Sequence, residues 1–458
     1  MHTLVMDDIE RYDLAIIGSG PAGYTAAEKT AKEGYKVVLF EKADNVGGVC
    51  LNEGCIPTKT LLYSAKILDQ ARQASKYGVL ISGEIKPDVK RMVSREKKVV
   101  RKLVLGIKQR LENAGVIIIK GEAYIKSNHK IVCNDSLYYV ENMFICTGSE
   151  SIIPPIVGLE DVPYWTHKDP LECTDIPDSI VILGGGVIGM EFASYFNSMG
   201  SKVTVIEMMN ELLPMFDAAL VMQLREIYAK RGVEFLLSTK VTAVAMEGEK
   251  IAISTNPVQE ATIVVDKLLV CTGRKRITAG FGLENLKLDK DDKGNILQNK
   301  RMQTSSHHIY LCGDANGKSM LAHTAIREAE VAVHTLLGGT DEINYQCIPS
   351  VLYTNPELAG VGYTEQELKK KGIPYILKEL PMAYSGRFVA ENEGMNGTCR
   401  ILINPNDQRI WGVHLLGNPA SEIIIQAANA IRMKRKASEW KRTVFPHPTV
   451  GEIIKECL

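Results

Sequence analysis

The sequence lacks a charge imbalance, a long apolar run and a cysteine framework, and each absence removes a class of function. Lysine and arginine total 54, aspartate and glutamate 54, so the formal net charge is zero. No overall basic excess is offered to nucleic acid or to an anionic membrane surface, and neither is expected as a partner. No stretch approaches the ~20 consecutive apolar residues of a membrane span. The start, Met1 to Arg11, carries Asp7, Asp8 and Glu10 and lacks both the basic and the apolar part of a secretory signal. A cytoplasmic location is expected. Ten cysteines stand at 50, 55, 133, 146, 173, 271, 312, 347, 399 and 457, eight of them isolated, unlike the framework of a small secreted domain. Cys146, Cys271 and Cys312 each close an apolar strand-like run and read as small buried hydrophobes.

What is present is a repeat. At 458 residues, 45% hydrophobic and 24% charged, the chain has the profile of a soluble globular protein of about three domains. Tyr12-Asp-Leu-Ala-Ile-Ile-Gly-Ser-Gly-Pro-Ala-Gly23 predicts a buried parallel strand entering a glycine turn, followed by a helix over Tyr24 to Glu33 and a second strand, Lys36 to Glu41. The same order returns at Ser179-Ile-Val-Ile-Leu-Gly-Gly-Gly-Val-Ile-Gly189, a helix, and Lys202-Val-Thr-Val-Ile-Glu207. Each is a βαβ nucleotide-binding unit with its acid at the same spacing, Gly18 to Glu41 and Gly184 to Glu207. A tight turn alone would explain neither the acid nor the repetition. In each unit the glycines (Gly18, Gly20 and Gly23; Gly184, Gly186 and Gly189) let the backbone approach a pyrophosphate held at a helix N-terminus. Glu41 and Glu207 would accept from ribose hydroxyls. A carboxylate at 207 repels a 2′-phosphate, and Met208 to Leu213 hold no arginine to bind one, so NAD is expected over NADP.

Gly47-Gly-Val-Cys-Leu-Asn-Glu-Gly-Cys-Ile-Pro-Thr-Lys59 sets two cysteines five apart just behind the first unit. On a regular helix their rise alone is ~7.5 Å, beyond the usual disulfide range. A bond between them therefore demands a distorted helix start, for which Gly54 and Pro57 supply the means. The other readings are two buried thiols or half a metal site, but no further Cys or His ligand follows nearby. A redox pair beside a bound cofactor accounts best for the pattern. Near the end, Phe445-Pro-His-Pro-Thr-Val-Gly-Glu452 fixes His447 between prolines. A single histidine is often structural, yet Glu452 could orient its second nitrogen and raise its basicity, which suits thiol activation.

These motifs, with Gly184-Gly-Gly-Val-Ile-Gly-Met-Glu191, Cys312-Gly-Asp-Ala315, Met320-Leu-Ala-His323, Tyr353-Thr-Asn-Pro-Glu357 and His447-Pro-Thr449, span nearly the whole chain. Together they resemble the dihydrolipoamide dehydrogenase branch of the pyridine nucleotide-disulfide oxidoreductases. The resemblance implies an α/β fold with two Rossmann-like domains and a C-terminal α+β dimerisation domain. FAD would occupy 1–149, completed by about 274–346; NAD would occupy 150–273; dimerisation would fall to 347–458. It further implies Asp314 on the ribityl chain, Met320, Leu321, Ala322 and His323 near the flavin, and Ala123 with Thr147, Gly148 and Ser149 lining its site. Lys59 would lie beside the isoalloxazine, paired with Glu191. NAD would meet Gly184 to Gly189, including Val187 and Ile188, together with Glu191, Glu207, Val241 and Gly273. Cys50 would be the outer thiol that exchanges with substrate and Cys55 the inner one facing FAD. His447 and Glu452 would reach the dithiol from the second subunit of a homodimer. No lipoyl-bearing stretch precedes the first βαβ unit, so a lipoyl-bearing protein of a 2-oxo acid dehydrogenase complex or glycine cleavage system is the expected partner.

Some positions separate the branches. Val187 stands where the glutathione reductase branch carries a tyrosine. Relatives that reduce Hg(II) end in vicinal cysteines, whereas this chain ends Lys455-Glu-Cys-Leu458, and Cys457 is expected as an exposed tail thiol. Phe445 replaces a histidine common in lipoamide enzymes. The rival readings are another NAD(P)H-dependent flavin disulfide reductase and a non-catalytic flavoprotein redox sensor.

Overall fold

The computed structural model describes residues 10–256 and 262–458, so the start up to residue 9, where an export signal is expected to be missing, lies outside the described residues. The chain divides into two compact units. One joins the chain up to Pro57 with Glu96–Ser151 and Arg274–Tyr345; the other joins Thr58–Arg95, Ile152–Gly273 and Gln346–Leu458.

Among the described residues the first unit holds a seven-stranded sheet. Its parallel part runs Ile117–Lys120, Val37–Glu41, Glu10–Ile17, Ser136–Ile145 and Ile309–Leu311. Leu14, Ile16, Val38 and Leu39 are fully buried, as the continuous apolar runs of a sheet covered on both faces require. The long strand Ser136–Ile145 changes partners along its length: its first half pairs antiparallel with Lys130–Cys133, its last residues parallel with Ile309–Leu311. The helix after the first turn begins at Pro21, three residues before the expected Tyr24, and runs Pro21–Lys32. Proline costs nothing there, because the N–H groups of a first turn have no helical partner anyway.

The second unit contains a parallel four-stranded sheet, Glu234–Leu236, Lys202–Ile206, Ser179–Leu183 and Lys267–Val270, with the helix Val187–Met199 following its first strand in sequence. Beside it stands an antiparallel sheet of Lys240–Glu247, Lys250–Asn256 and Ile263–Val265, which the motifs did not announce. The C-terminal part is an antiparallel five-stranded sheet, Ser350–Leu352, Leu358–Gly362, Ile410–Leu416, Thr398–Ile403 and Ile376–Pro381. The helix Ala420–Arg432 covers it through Ile423, Ile424 and Ala427.

Cys146 and Cys312 are buried and Cys271 half-buried. Cys457 corrects an expectation: it is 4% exposed. It shares the inner side of the last helix, Glu452–Cys457, with Ile453 and Ile454, and spacing of one and four residues puts these on one apolar stripe.

Arg400 ties the second unit together. Its buried guanidinium donates to Asp217 at 2.5 Å, to Glu365 at 2.7 Å and to Glu379 at 2.7 Å. Asp217 also accepts from the N–H groups of Ala219 and Leu220, capping the helix Ala218–Lys230. A buried cation must be matched in this way, since removing one partner strands the other in a low dielectric. Burial pulls the Glu365 carboxyl up, but hydrogen bonds from Lys369, Tyr375 and Arg400 outweigh it and hold the group at about 2. With the folded value below the ordinary 4.5, the stabilisation is complete above that pH and is lost as pH falls through the window toward the folded value. Glu365→Gln should lower stability at neutral pH and flatten the acid limb of unfolding. Denaturant midpoints measured across that window check this, and parallel acid limbs for the two proteins would contradict it.

Candidate active site

The two glycine turns are built alike. Gly18 and Gly184 have φ of +96° and +110°, and a Cβ on either would strike a carbonyl oxygen, of Cys146 or Cys271, at 2.4 Å. A Cβ on Gly23 would sit 1.9 Å from the Gly18 carbonyl oxygen, and one on Gly189 2.0 Å from that of Gly184. The fold itself therefore demands glycine at the first and third positions. It makes no such demand at the second. Gly20 and Gly186 have φ of −63° and −78°, open to any residue, and a Cβ would meet nothing closer than Gly48 Cα at 4.0 Å in one case and nothing within 4 Å in the other. The open space at the second glycine, over the helix N-terminus, is the cradle a dinucleotide's pyrophosphate needs.

The acids are held the same way in both units. Glu41 accepts from the Ser19 N–H at 2.8 Å and the Ser19 hydroxyl at 2.5 Å. Glu207 accepts from the Gly185 N–H at 2.7 Å and the Met209 N–H at 2.8 Å. Val187 and Ile188 open the second helix, half-buried. Val241 is 2% exposed, packed beneath the parallel strands with Leu183 and Ile206, so it offers a ligand its backbone only. Gly273, with φ of +115°, bonds through its carbonyl to the Ile152 N–H.

Cys50 lies in a short helix, Gly48–Asn52, and Cys55 opens a separate one, Cys55–Arg72. The break at Glu53 and Gly54 supplies the expected distortion. A Cβ on Gly54 would be 3.1 Å from the Val49 carbonyl oxygen and 3.6 Å from Cys50 Cα, so the chain folds back onto the first cysteine's backbone. Pro57 falls in the first turn of the second helix, where it breaks no bond. The Cys50 helix is seated on the first nucleotide turn: the Gly47 N–H donates to the Ser19 carbonyl at 3.0 Å, and a Cβ on Gly48 would reach Gly20 Cα at 2.6 Å. Both thiols are half-buried.

Around the same turn, the Ser149 hydroxyl donates to Asp314 at 2.5 Å, and the Arg274 guanidinium donates to the Ser149 hydroxyl at 2.8 Å and carbonyl at 2.6 Å. Burial pushes the Asp314 carboxyl up, against the Ser149 hydrogen bond and the charge of Arg274. The Thr147 hydroxyl donates to the Ile277 carbonyl at 2.6 Å, and Gly148 takes φ of +74°. Ala123 is buried with Ile17 and Phe40, at the ends of the strands that feed the turn. Met320 is exposed, Leu321 precedes the helix Ala322–Leu336, and His323 stands exposed in its first turn.

In the second unit Lys59 Nζ lies 2.7 Å from the buried Glu191 carboxylate and 4.8 Å from the centroid of the Tyr353 ring. The other Glu191 oxygen accepts from the Tyr353 N–H at 3.2 Å. His447 is 81% exposed, its Nδ1 3.0 Å from Glu452, while the second Glu452 oxygen accepts from the Thr449 N–H at 2.7 Å. That N–H and then His447 hold the Glu452 carboxyl below its ordinary value. With Nδ1 engaged, Nε2 is the nitrogen turned outward.

Two residues escaped the motifs. Arg274, which also feels Glu53 and Cys55 electrostatically, was legible only as the residue after a repeated Thr-Gly. Tyr24 has its hydroxyl pushed up by burial and then by Cys50, with Cys55 also contributing. Its position one residue past the third glycine was the available signal.

Two dinucleotide cradles in one chain, one of them carrying a paired-cysteine helix, define an oxidoreductase that moves electrons between a nucleotide and a dithiol. The chain matches the family model for pyridine nucleotide-disulphide oxidoreductases over residues 12–329 and the model for that family's dimerisation domain over 348–458, and it belongs to this family. It is 37% identical to a dihydrolipoyl dehydrogenase of Mycoplasma genitalium, covering 97% of each chain. With one of Thermus scotoductus it shares 35% identity, over 98% of this chain and 97% of the relative. A solved structure, the HOCl-induced flavoprotein disulfide reductase RclA of Escherichia coli, superposes with a TM-score of 0.87 at 28% identity, covering 97% of this chain and 99% of that one. No helix among the described residues is long and apolar enough to cross a membrane.

Substitution at the second turn separates fold from ligand. Gly186→Ala should change stability by less than about 1 kcal/mol yet weaken NAD binding at least about tenfold. Gly189→Ala should instead cost roughly 1–3 kcal/mol of folding free energy. Denaturation midpoints and NADH titration of both variants check this, and equal destabilisation by both would mean that the open space is not the ligand's.

Proposed function

We propose that the chain is a dihydrolipoyl dehydrogenase, which reoxidises protein-bound dihydrolipoyl groups through a Cys50–Cys55 disulfide and reduces NAD⁺ to NADH. The observation that carries this reading is the seating of the Cys50 helix on the first nucleotide turn, in a chain alike end to end with relatives of that name. FAD and NAD are the cofactors. FAD, when bound, relays electrons from the dithiol to the nicotinamide.

The chain's own residues bind, orient and move protons. Residues 1–149 with 274–346 form the FAD domain, 150–273 the NAD domain and 347–458 the dimerisation domain. Gly18, Gly20 and Gly23 admit the FAD pyrophosphate and Glu41 its ribose. Asp314 takes the ribityl chain, with Ala123, Thr147 to Ser149 and Met320 to His323 lining the site and Lys59, paired with Glu191, beside the ring. Gly184 to Gly189, Glu191, Glu207, Val241 and Gly273 receive NAD, and the Glu207 carboxylate disfavours a 2′-phosphate.

His447, steered by Glu452, accepts the proton of a dihydrolipoyl thiol arriving at the dithiol of the partner copy in a homodimer. The resulting thiolate attacks Cys50, and Cys55 leaves as the thiolate. An imidazolium next to a thiolate stabilises it, which is why the base must be adjacent. The lipoyl arm belongs to a carrier protein of a 2-oxo acid dehydrogenase complex or glycine cleavage system, in the cytoplasm.

Parallel assays test the reading. Free dihydrolipoamide with NAD⁺ should turn over, and glutathione disulfide with NADPH should not. The reverse pattern would favour a reductase of the same family with another disulfide substrate. His447→Gln should cut dihydrolipoamide turnover by roughly 100-fold or more and spare NADH oxidation by an artificial dye, whereas equal loss of both would make the histidine structural.

A further inference from the structure

Cys399 lies in the strand Thr398–Ile403 and Cys457 ends the last helix, Glu452–Cys457. They are 0% and 4% exposed and share one apolar cluster with Ile453 and Ile454. The Cys457 thiol points at the Cys399 carbonyl oxygen, 3.7 Å away. The two side chains are also within hydrogen-bonding reach of each other, and that contact, followed by burial, pushes the Cys399 thiol well above its ordinary value. No group of three or more His, Cys, Asp or Glu side chains that could hold a metal occurs among the described residues, so a larger ligand set does not explain the pair.

We propose that Cys399 and Cys457 form a second, reversible disulfide, made by hydrogen peroxide, that tethers the C-terminal helix and with it the carboxylate of Glu452. Disulfide geometry needs the sulfurs at about 2.05 Å, so the two side chains must close from hydrogen-bonding reach to bond length. Cys457, 4% exposed against 0% for Cys399, is the thiol the oxidant meets first. Its thiolate attacks one peroxide oxygen; the O–O bond breaks, leaving a sulfenic acid and hydroxide. Cys399, protonated until then, gives its proton to that hydroxide and attacks the Cys457 sulfur, so the S–S bond forms as the S–O bond breaks. The hydroxide released with the S–O bond takes up the proton that Cys457 lost in forming its thiolate, so the two sulfurs together lose two electrons and two protons and the peroxide ends as two waters.

The consequence lies at the other end of the helix. Six residues are too few to be stable alone, so the helix is held by packing. Its first residue, Glu452, is the group that grips the Thr449 N–H and His447 Nδ1. A covalent tie at Cys457 restrains fraying of the segment that positions the imidazole. The link to turnover rests on His447 as the proposed base; the disulfide itself does not.

Holoenzyme treated with hydrogen peroxide, alkylated and digested without reductant should yield one peptide pair joined through Cys399 and Cys457, separated by dithiothreitol. Thermal unfolding should shift upward by roughly 3 °C on oxidation and return on reduction. Cys399→Ala and Cys457→Ala should each abolish that reversible shift. Recovery of the two cysteines on separate peptides, whether alkylated or over-oxidised, overturns the proposal, and so does a shift of the same size in both variants. None of these measurements reads turnover, so failure of the dihydrolipoyl reading and failure of the disulfide are told apart.

Discussion

A backbone contact with no room for a side chain sets the geometry of both nucleotide turns: Gly23 on the carbonyl of Gly18, and Gly189 on that of Gly184. It brings each helix start hard against the end of its strand. Everything proposed for the site follows from that approach. The helix dipole and its free N–H groups face the space beyond the strand ends, the next strand delivers its terminal carboxylate beside the turn, and the second glycine is left facing open space. In the first unit the same surface receives Gly48, whose Cα side is pressed against Gly20. One close contact thus positions both the proposed anion site and the helix that carries Cys50.

Those parts were legible in the sequence because each is set by residues close together in the chain, the first and third glycines by steric need and the acids by their fixed distance from them. The paired fingerprints, the Cys50–Gly54–Cys55 break and the His447–Glu452 contact all fall within a few residues or one βαβ unit. Features made by distant residues were not legible. Arg274 bonds Ser149 across 125 positions, and Arg400 reaches Asp217 across 183; no periodicity announces either. Cys457 shows how position misleads: a penultimate residue reads as tail, yet the stripe of Ile453, Ile454 and Cys457 buries it. The antiparallel strands Lys240–Glu247 and Lys250–Asn256 were missed for another reason. Lys240–Glu247 ends in three exposed residues, Ala245 to Glu247, which dilute its alternation.

The acids show how a site can be set before its ligand arrives. Glu41 and Glu207 each accept the N–H one residue beyond the first glycine. For the ribose contact proposed for them, carboxylates so held lose little freedom on binding, and less ordering means that more of the contact energy appears as affinity. The turns differ in one respect: Ser19 adds a hydroxyl to its acid, while Gly185 cannot, and a Cβ there would collide with Leu212 at 2.3 Å. The second turn therefore leaves more of its carboxylate's hydrogen-bonding capacity to the ligand proposed for it.

The long helix Cys55–Arg72 joins two demands that pull against each other. Its first residue must remain chemically accessible, yet one turn on it carries Lys59, whose ammonium answers the buried Glu191. Residues four apart share a helix face, so Cys55 and Lys59 fall on the same face of this helix. A carboxylate buried as deeply as Glu191 strongly disfavours loss of its cation, and the Tyr353 N–H adds a second anchor to it. The preceding break at Glu53 and Gly54 separates the two helices on the side of Cys50. The glycine thus falls between the two cysteines and the lysine one turn beyond the second, so the chain breaks beside Cys50 and runs on as regular helix from Cys55.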